Sequence, residues 1–156
     1  MKIEFKMKLL FIFFSFLLIF NSCKKKDQKD QAQIDEGIIT KYITDNNLTA
    51  TATGSGLYYV METIGTGIKP NPASQVKVAY KGYFTDGSVF DQSATSGITF
   101  GLQSVIKGWT EGIPYFKKGG KGKLLIPSAL GYGPNGTNGI PANSVLIFDI
   151  HLIDVY

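Results

Sequence analysis

The chain has 156 residues, of which 44% are hydrophobic and 13% aromatic, a composition that suits one packed domain plus an extension. The net charge is +4, and the lysines clustered over residues 117–123 have no interleaved aromatics, so we predict no nucleic-acid partner. One cysteine and one histidine exclude a disulfide framework, a His-based catalytic triad and a zinc site, so we expect no metal and no cofactor.

Residues 1–22 have the pattern of a secretory signal peptide. Three lysines precede residues 9–20, which are apolar except for Ser15 and are too few for the ~20 residues of a transmembrane helix. Cys23 follows the small residue Ser22, and this arrangement resembles a bacterial lipoprotein signal. The resemblance implies lipidation of Cys23 and anchoring in the bacterial cell envelope, on the periplasmic face or the outer surface. The alternative is an uncleaved signal anchor with an incidental cysteine.

Residues 23–55 are predicted to be a tether that contains a short helix and a linker. Residues 24–30 are charged or amide throughout, which is typical of a flexible segment. Helical spacing over residues 34–43 predicts about three turns, ending at residues 45–47. The residues that carry this spacing are Ile34, Ile38, Ile39, Tyr42 and Ile43. The helix could dock on the domain, contact a partner or hold two chains together, and we expect docking. The composition of residues 49–56 predicts a linker, with the domain boundary near residue 55.

Residues 56–156 are predicted to form a β-rich domain, because the hydrophobic period changes to two. The predicted strands cover residues 57–61, 75–81, 89–91, 98–100, 123–126 and 145–155, with a hairpin turn at Asp86-Gly87. In the last strand His151 lies on the face opposite the apolar residues, so we expect its side chain to face solvent. Residues 107–116 differ: Trp109, Ile113 and Phe116 recur at i, i+4 and i+7 and predict a short helix. Its glycines make it dependent on tertiary packing.

Seven motifs occur in one order along this domain. They are Tyr80-Lys-Gly82, Asp86-Gly-Ser-Val-Phe-Asp91, Val105-Ile-Lys-Gly-Trp109, Lys123-Leu-Leu-Ile-Pro127, Leu130-Gly-Tyr-Gly133, Ile140-Pro-Ala-Asn143 and Val145-Leu-Ile-Phe-Asp149. Together they resemble the FKBP family of peptidyl-prolyl isomerases across about residues 56–156. The resemblance implies an α+β fold, an antiparallel β-sheet half-wrapped around one short α-helix. It also implies activity on X-Pro bonds.

The resemblance further implies an aromatic pocket. Trp109 is similar to the pocket floor of the family, and the remaining predicted substrate-binding residues are Tyr80, Phe90, Val105, Ile106, Ile140 and Phe148. Asp91 and Tyr132 match its polar, catalytic groups, and the Ile106 amide and Tyr132 hydroxyl are expected to bind ligand carbonyls. Ile98 stands where many members have a third wall aromatic, and Leu130 replaces a common tyrosine. Macrolide inhibitors such as rapamycin are implied ligands.

The expected partners are proline-containing unfolded or folding polypeptides and, through the lipid, a membrane. Two other functions stay open from the sequence: a non-catalytic chaperone or binding module on the same fold, and a structural or adhesive β-domain on a lipid tether. The helix over residues 34–43 is shorter than the long dimerising helices of some secreted relatives of this family. We therefore predict a monomer.

Overall fold

The computed structural model describes residues 28–156, so the predicted signal peptide and Cys23 lie outside the described residues. The strands are β1 (Ala50–Ala52), β2 (Tyr58–Thr63), β3 (Gln75–Tyr83), β4 (Val89–Gln92), β5 (Ile98–Gly101), β6 (Lys121–Ile126) and β7 (Leu146–Val155). Helix α1 covers residues 28–45, and α2 (Lys107–Gly112) continues into the 3₁₀ turn Ile113–Tyr115. Other 3₁₀ turns are Leu102–Ser104, Ser128–Leu130 and Gly133–Asn135. Within this part of the chain, no helix is both long and apolar enough to span a bilayer.

The strands form one antiparallel sheet in the order β1-β2-β6-β7-β3-β4, with β5 paired to β3. Strand β7 lies at the centre, between β6 and β3. The Asp86-Gly87 turn closes the β3–β4 hairpin as predicted, with Gly87 at φ 87°. The α+β class and the antiparallel sheet around one short helix are confirmed.

Helix α2 packs against one face of the sheet at very short distance. A Cβ atom added to Gly108 would lie 2.5 Å from Ile126 Cγ2, and one added to Gly112 would lie 2.6 Å from Leu124 Cδ2. The two glycines therefore lower the helix propensity of α2 and at the same time allow it to approach β6. The predicted apolar face is confirmed, because its three residues are all buried in the main hydrophobic core. They are Trp109, Ile113 and Phe116.

Helix α1 packs against the other face of the sheet, as expected. Ile39 is completely buried there, in a second hydrophobic cluster that also contains Val60, Tyr83, Leu125, Val145 and Ile147. The helix ends where residues 45–47 predict, with Asn47 in the left-handed region at φ 52°. The Leu48 N–H donates to the Ile43 carbonyl at 2.9 Å, which satisfies an end carbonyl of the helix. The helix is longer than the predicted three turns, and Ile34 and Ile38 of its predicted apolar face stay exposed.

Two details differ from the sequence-based predictions or refine them. Residues 49–56 were predicted to be a linker, yet β1 pairs with β2 in the register Ala50↔Val60 to Ala52↔Tyr58. Backbone pairing to a sheet edge explains this difference, since it needs no hydrophobic side chains. His151 lies on the sheet face opposite the main core, as predicted, but its side chain is half-buried. It stands opposite Lys121 in the register of β6 and β7. Burial, and then the Lys121 charge, lower the pKa of His151.

Candidate active site

A cavity of about 590 Å³ opens beside α2, between the sheet and the long β6–β7 connection. All nine residues that the sequence analysis assigned to a pocket line this one cavity. They are Tyr80, Phe90, Asp91, Val105, Ile106, Trp109, Tyr132, Ile140 and Phe148. The structure thus brings together side chains from β3, β4, α2, β7 and two connecting segments, which lie between residues 80 and 148 of the chain.

The floor and walls of the cavity are an aromatic cluster with edge-to-face geometry. The rings of Tyr80 and Phe148 stand at 84° and 82° to the Trp109 indole, with centroids 5.0 and 5.2 Å away. Phe90 meets Phe148 in the same way at 5.5 Å. Edge-to-face pairs are the favoured arrangement of aromatic side chains, so the walls support one another. Trp109 Nε1 is the only buried side-chain nitrogen or oxygen without a hydrogen bond within residues 28–156. The floor is therefore an aromatic surface whose one donor has no partner among the described residues.

The polar groups of the cavity lie above this floor. The Tyr80 hydroxyl donates a hydrogen bond to Asp91 Oδ2 at 2.7 Å. Burial, and then the bond to Asp91, raise the pKa of Tyr80 to about 12. Tyr80 is therefore a neutral donor at physiological pH, and it holds the Asp91 carboxylate in one direction.

Two further polar groups lie at the edge of the cavity. Tyr132 is 39% exposed, so its hydroxyl is accessible to a ligand. Ile106 immediately precedes α2, and its carbonyl accepts the first N–H groups of that helix, from Trp109 and Thr110. This position leaves the Ile106 N–H outside the hydrogen-bond ladder of the helix. Within the described residues, no cluster of three or more His, Cys, Asp or Glu side chains is arranged to hold a metal ion.

Four residues that line the cavity were not predicted: Phe100, Ser104, Thr137 and Asn138. Phe100 supplies a further aromatic wall, with its ring 5.1 Å from Trp109, whereas Ile98 is 49% exposed. Ile98, which stands where many members of the family that the motifs resemble have a third wall aromatic, does not line the cavity. Both residues share one face of β5, but Phe100 lies at the end of the strand that leads to α2. Phe100 is nearer than Ile98 to α2 along the chain, and this was the signal in the sequence that could have identified Phe100 as a wall residue.

The family model for "FKBP-type peptidyl-prolyl cis-trans isomerase" matches residues 66–153 of the chain. This range contains every residue that lines the cavity. The chain belongs to this FKBP-type family. Family membership explains why six of the seven short motifs, scattered along the sequence, contribute residues to one cavity.

Sequence and structure comparisons with individual FKBP-type proteins support this assignment. The chain is 52% identical over 107 residues to FkpA of Buchnera aphidicola, an alignment that covers 66% of the chain and 42% of FkpA. The crystal structure of Escherichia coli FkpA superposes with a TM-score of 0.71 at 40% identity, covering 85% of this chain and 63% of that one. The crystal structure of a peptidyl-prolyl isomerase from Pseudomonas syringae superposes with a TM-score of 0.72 at 33% identity. The superposition covers 81% of this chain and 94% of that one. The chain spans less than half the length of the curated relatives it matches.

Proposed function

We propose that this chain catalyses cis–trans isomerisation of X-Pro bonds in unfolded or folding polypeptides. The observation that carries the proposal is the open aromatic cavity, with Trp109 at its floor and the rings of Tyr80, Phe90, Phe100 and Phe148 around it. A cavity of this size accepts a prolyl ring and its neighbouring residue and removes both from water.

The reaction needs desolvation and positioning, and it needs no nucleophile. Rotation about the imide bond breaks C–N resonance, against a barrier of ~18–20 kcal/mol. The planar ground state is more dipolar than the twisted transition state, so water favours the planar form. Transfer of the imide into an apolar aromatic cavity favours the twisted form relative to the planar one. The cis and trans forms of X-Pro differ by only about 0.5–1 kcal/mol, so a lower barrier speeds both directions.

The polar groups then hold the substrate while the bond turns. The Ile106 N–H and the Tyr132 hydroxyl are donors to the carbonyls on either side of the proline. The Asp91 carboxylate, oriented by the Tyr80 hydroxyl, places negative charge beside the rotating imide. Tyr80, Phe90, Val105, Trp109, Ile140 and Phe148 enclose the prolyl ring.

An isomerisation assay tests this proposal directly. Residues 24–156 should accelerate relaxation of an X-Pro tetrapeptide monitored without a coupled protease, and Phe90→Ala should reduce that acceleration. A second assay follows the aggregation of an unfolded client that contains no proline. Suppressed aggregation together with no isomerisation would show the alternative function, a chaperone on the same fold.

We propose that rapamycin-type macrolides bind in the same cavity. Phe100 supports this, because it supplies an aromatic wall beside Trp109. Rapamycin should compete with the peptide substrate, raising the apparent KM without lowering kcat. Inhibition that changes kcat alone would place the macrolide elsewhere.

We also propose that Cys23 carries a lipid anchor and that the domain acts in the cell envelope. The support is the apolar run of residues 9–20 directly before the cysteine. Each buried methylene of an acyl chain adds ~0.8 kcal/mol of membrane affinity, so several chains hold the protein firmly. Cys23→Ser should abolish incorporation of labelled fatty acid. Equal labelling of wild type and variant would exclude this anchor.

A further inference from the structure

The two fully buried polar side chains of the described structure contact each other across 93 positions of sequence. They are Asp35 of α1 and Ser128 of the β6–β7 connection, 1% and 2% exposed. Asp35 Oδ2 accepts the Ser128 N–H at 2.8 Å and the Ser128 hydroxyl at 2.6 Å, and Oδ1 accepts Gln31 Nε2 at 2.8 Å. Both oxygens of the carboxylate are thus hydrogen-bonded, as a buried charge requires.

Ser128 begins the 3₁₀ turn Ser128–Leu130, which starts without a cap of its own. The preceding residue is Pro127, which provides no side-chain acceptor. The first N–H groups of a helical turn have no partner within the turn, and a side-chain oxygen just before it normally accepts one of them. Here Asp35 of α1 supplies that oxygen. The turn is therefore held from outside its own segment of chain.

Tyr132 follows this turn after only Gly131. The Leu130 N–H donates to the Pro127 carbonyl and the Gly131 N–H to the Ser128 carbonyl, both at 3.0 Å. Leu130 also packs against the main hydrophobic core. Because the connection from Ser128 to Tyr132 is short and internally bonded, the position of Ser128 determines where the Tyr132 ring enters the cavity.

We propose that Asp35 is a positioning residue for X-Pro isomerisation, acting through the Ser128–Leu130 turn on Tyr132. The proposal rests on the proposed function of the cavity. It assigns α1 a part in the active site, in addition to covering the sheet. The rings of Tyr80, Phe90 and Phe148 are carried by β3, β4 and β7, with which Asp35 makes no hydrogen bond, so their geometry should not change when the Asp35 contact is lost.

The test compares Asp35 with its neighbour on α1. Glu36 accepts a hydrogen bond from the Tyr58 hydroxyl on β2, so it also attaches α1 to the sheet but does not reach the turn. Asp35→Ala in the full chain should lower kcat/KM about three- to tenfold, the range expected when one hydrogen bond to the substrate is lost. Asp35→Asn keeps one acceptor oxygen, so its loss of kcat/KM should be smaller than that of Asp35→Ala. The control variant Glu36→Gln should leave kcat/KM near the wild-type value.

A double-mutant cycle separates positioning from general destabilisation. If Asp35 acts through the Tyr132 hydroxyl, Asp35→Ala should change kcat/KM by less than about twofold in a Tyr132→Phe background, because the two effects are coupled. An equal fold loss in both backgrounds would overturn the proposal.

Hydrogen exchange provides a readout that does not depend on catalysis. The amides of Leu130 and Gly131 should exchange faster in Asp35→Ala than in Glu36→Gln, since their turn loses its cap. If Asp35→Ala does not fold, Asp35→Asn and Ser128→Ala take its place in both measurements. An inactive wild-type chain would refute the proposed function. Unchanged exchange at the turn would refute the positioning role, whatever the activity.

Discussion

Tyr80 and Asp91 show how single residues in the cavity depend on their neighbours. The Asp91 carboxylate is exposed to solvent, yet the Tyr80 hydroxyl holds it in place at 2.7 Å. The Tyr80 ring in turn stands edge-on to Trp109. Tyr80 therefore joins the apolar floor to the polar rim, and it has both a packing and an electrostatic role.

Loss of a wall should affect catalysis more than loss of a single hydroxyl, if desolvation lowers the barrier. Tyr132→Phe keeps the ring and removes one hydrogen bond worth ~0.5–1.5 kcal/mol, so kcat/KM should fall about tenfold or less. Phe90→Ala opens the cavity to water and should cost more, and Asp91→Ala should also exceed Tyr132→Phe. The three variants are compared on one X-Pro peptide, with circular dichroism as the control for folding. A nearly silent Phe90→Ala beside an inactive Tyr132→Phe would contradict the desolvation mechanism.

The raised pKa of Tyr80 predicts a specific loss of stability in alkali. The unfolded chain ionises this phenol near pH 10, whereas the folded protein keeps it neutral up to about 12. Its contribution to stability is therefore complete below pH 10 and is lost as the pH rises from 10 to 12.

Urea unfolding at pH 9 and pH 11 measures this effect. The free energy of unfolding should fall more between the two pH values for wild type than for Tyr80→Phe, which has no group to ionise. Parallel losses in the two proteins would show that Tyr80 titrates normally in the fold.

At the scale of secondary-structure elements, close approach between elements determines the shape of the cavity. Gly82 in β3 lies directly beneath two wall rings. A Cβ atom there would lie 2.6 Å from Phe90 Cε2 and 2.7 Å from Phe148 Cε1. The absence of a side chain at this position is what allows both rings to pack against the β3 backbone and against each other.

Gly82→Ala should therefore distort the cavity from below. The added methyl displaces two rings, and overpacking of this kind costs about 1–3 kcal/mol of stability. We expect kcat/KM to fall by about tenfold or more, since the walls move away from the bound imide. Gly101→Ala is the matched control in β5, because nothing lies within 4 Å of its added Cβ. Equal activity of the two variants would show that the rings adapt without loss of function.

For the whole molecule, the sheet separates two hydrophobic clusters. The main core contains Trp109, and the second cluster contains Ile39 of α1. The domain boundary near residue 55 stays a prediction. Helix α1 packs on the sheet face away from Trp109, and β1 extends the edge of the sheet by pairing with β2.

Removal of residues 1–55 should consequently weaken the protein without opening its main core. The truncated chain should keep a cooperative thermal transition and buried tryptophan emission, because the Trp109 cluster is intact. Its melting temperature should fall, because the side chains under Ile39 become exposed. Water-exposed tryptophan emission in the truncated protein would show that α1 is needed for the main core.

The oligomeric state is a property of the whole molecule, and the sequence predicts a monomer. That prediction was based on a short helix over residues 34–43, but α1 covers residues 28–45, so helix length no longer supports it. Ile34 is 56% exposed on this helix. Sedimentation equilibrium of residues 24–156 should give the mass of one chain, and a mass of two chains would refute the prediction.

Local sequence patterns predict six of the seven strands and the buried face of α2, and the family resemblance predicts nine of the thirteen residues that line the cavity. Alternation and helical spacing report which side chains are buried, and these are local properties of the chain. The seven motifs then identified the nine residues that meet at the cavity, although they lie far apart along the chain.

How distant segments meet depends on tertiary packing, which local patterns do not report. The strand at Ala50–Ala52 forms because β2 offers an unpaired edge, which composition does not report. Phe100 rather than Ile98 reaches Trp109, although both share a face of β5. The bond between Asp35 and Ser128 joins residues 93 positions apart, and each looks like an ordinary surface residue in the sequence. Contacts of this kind depend on packing between elements, whereas a local pattern records only which way each side chain points.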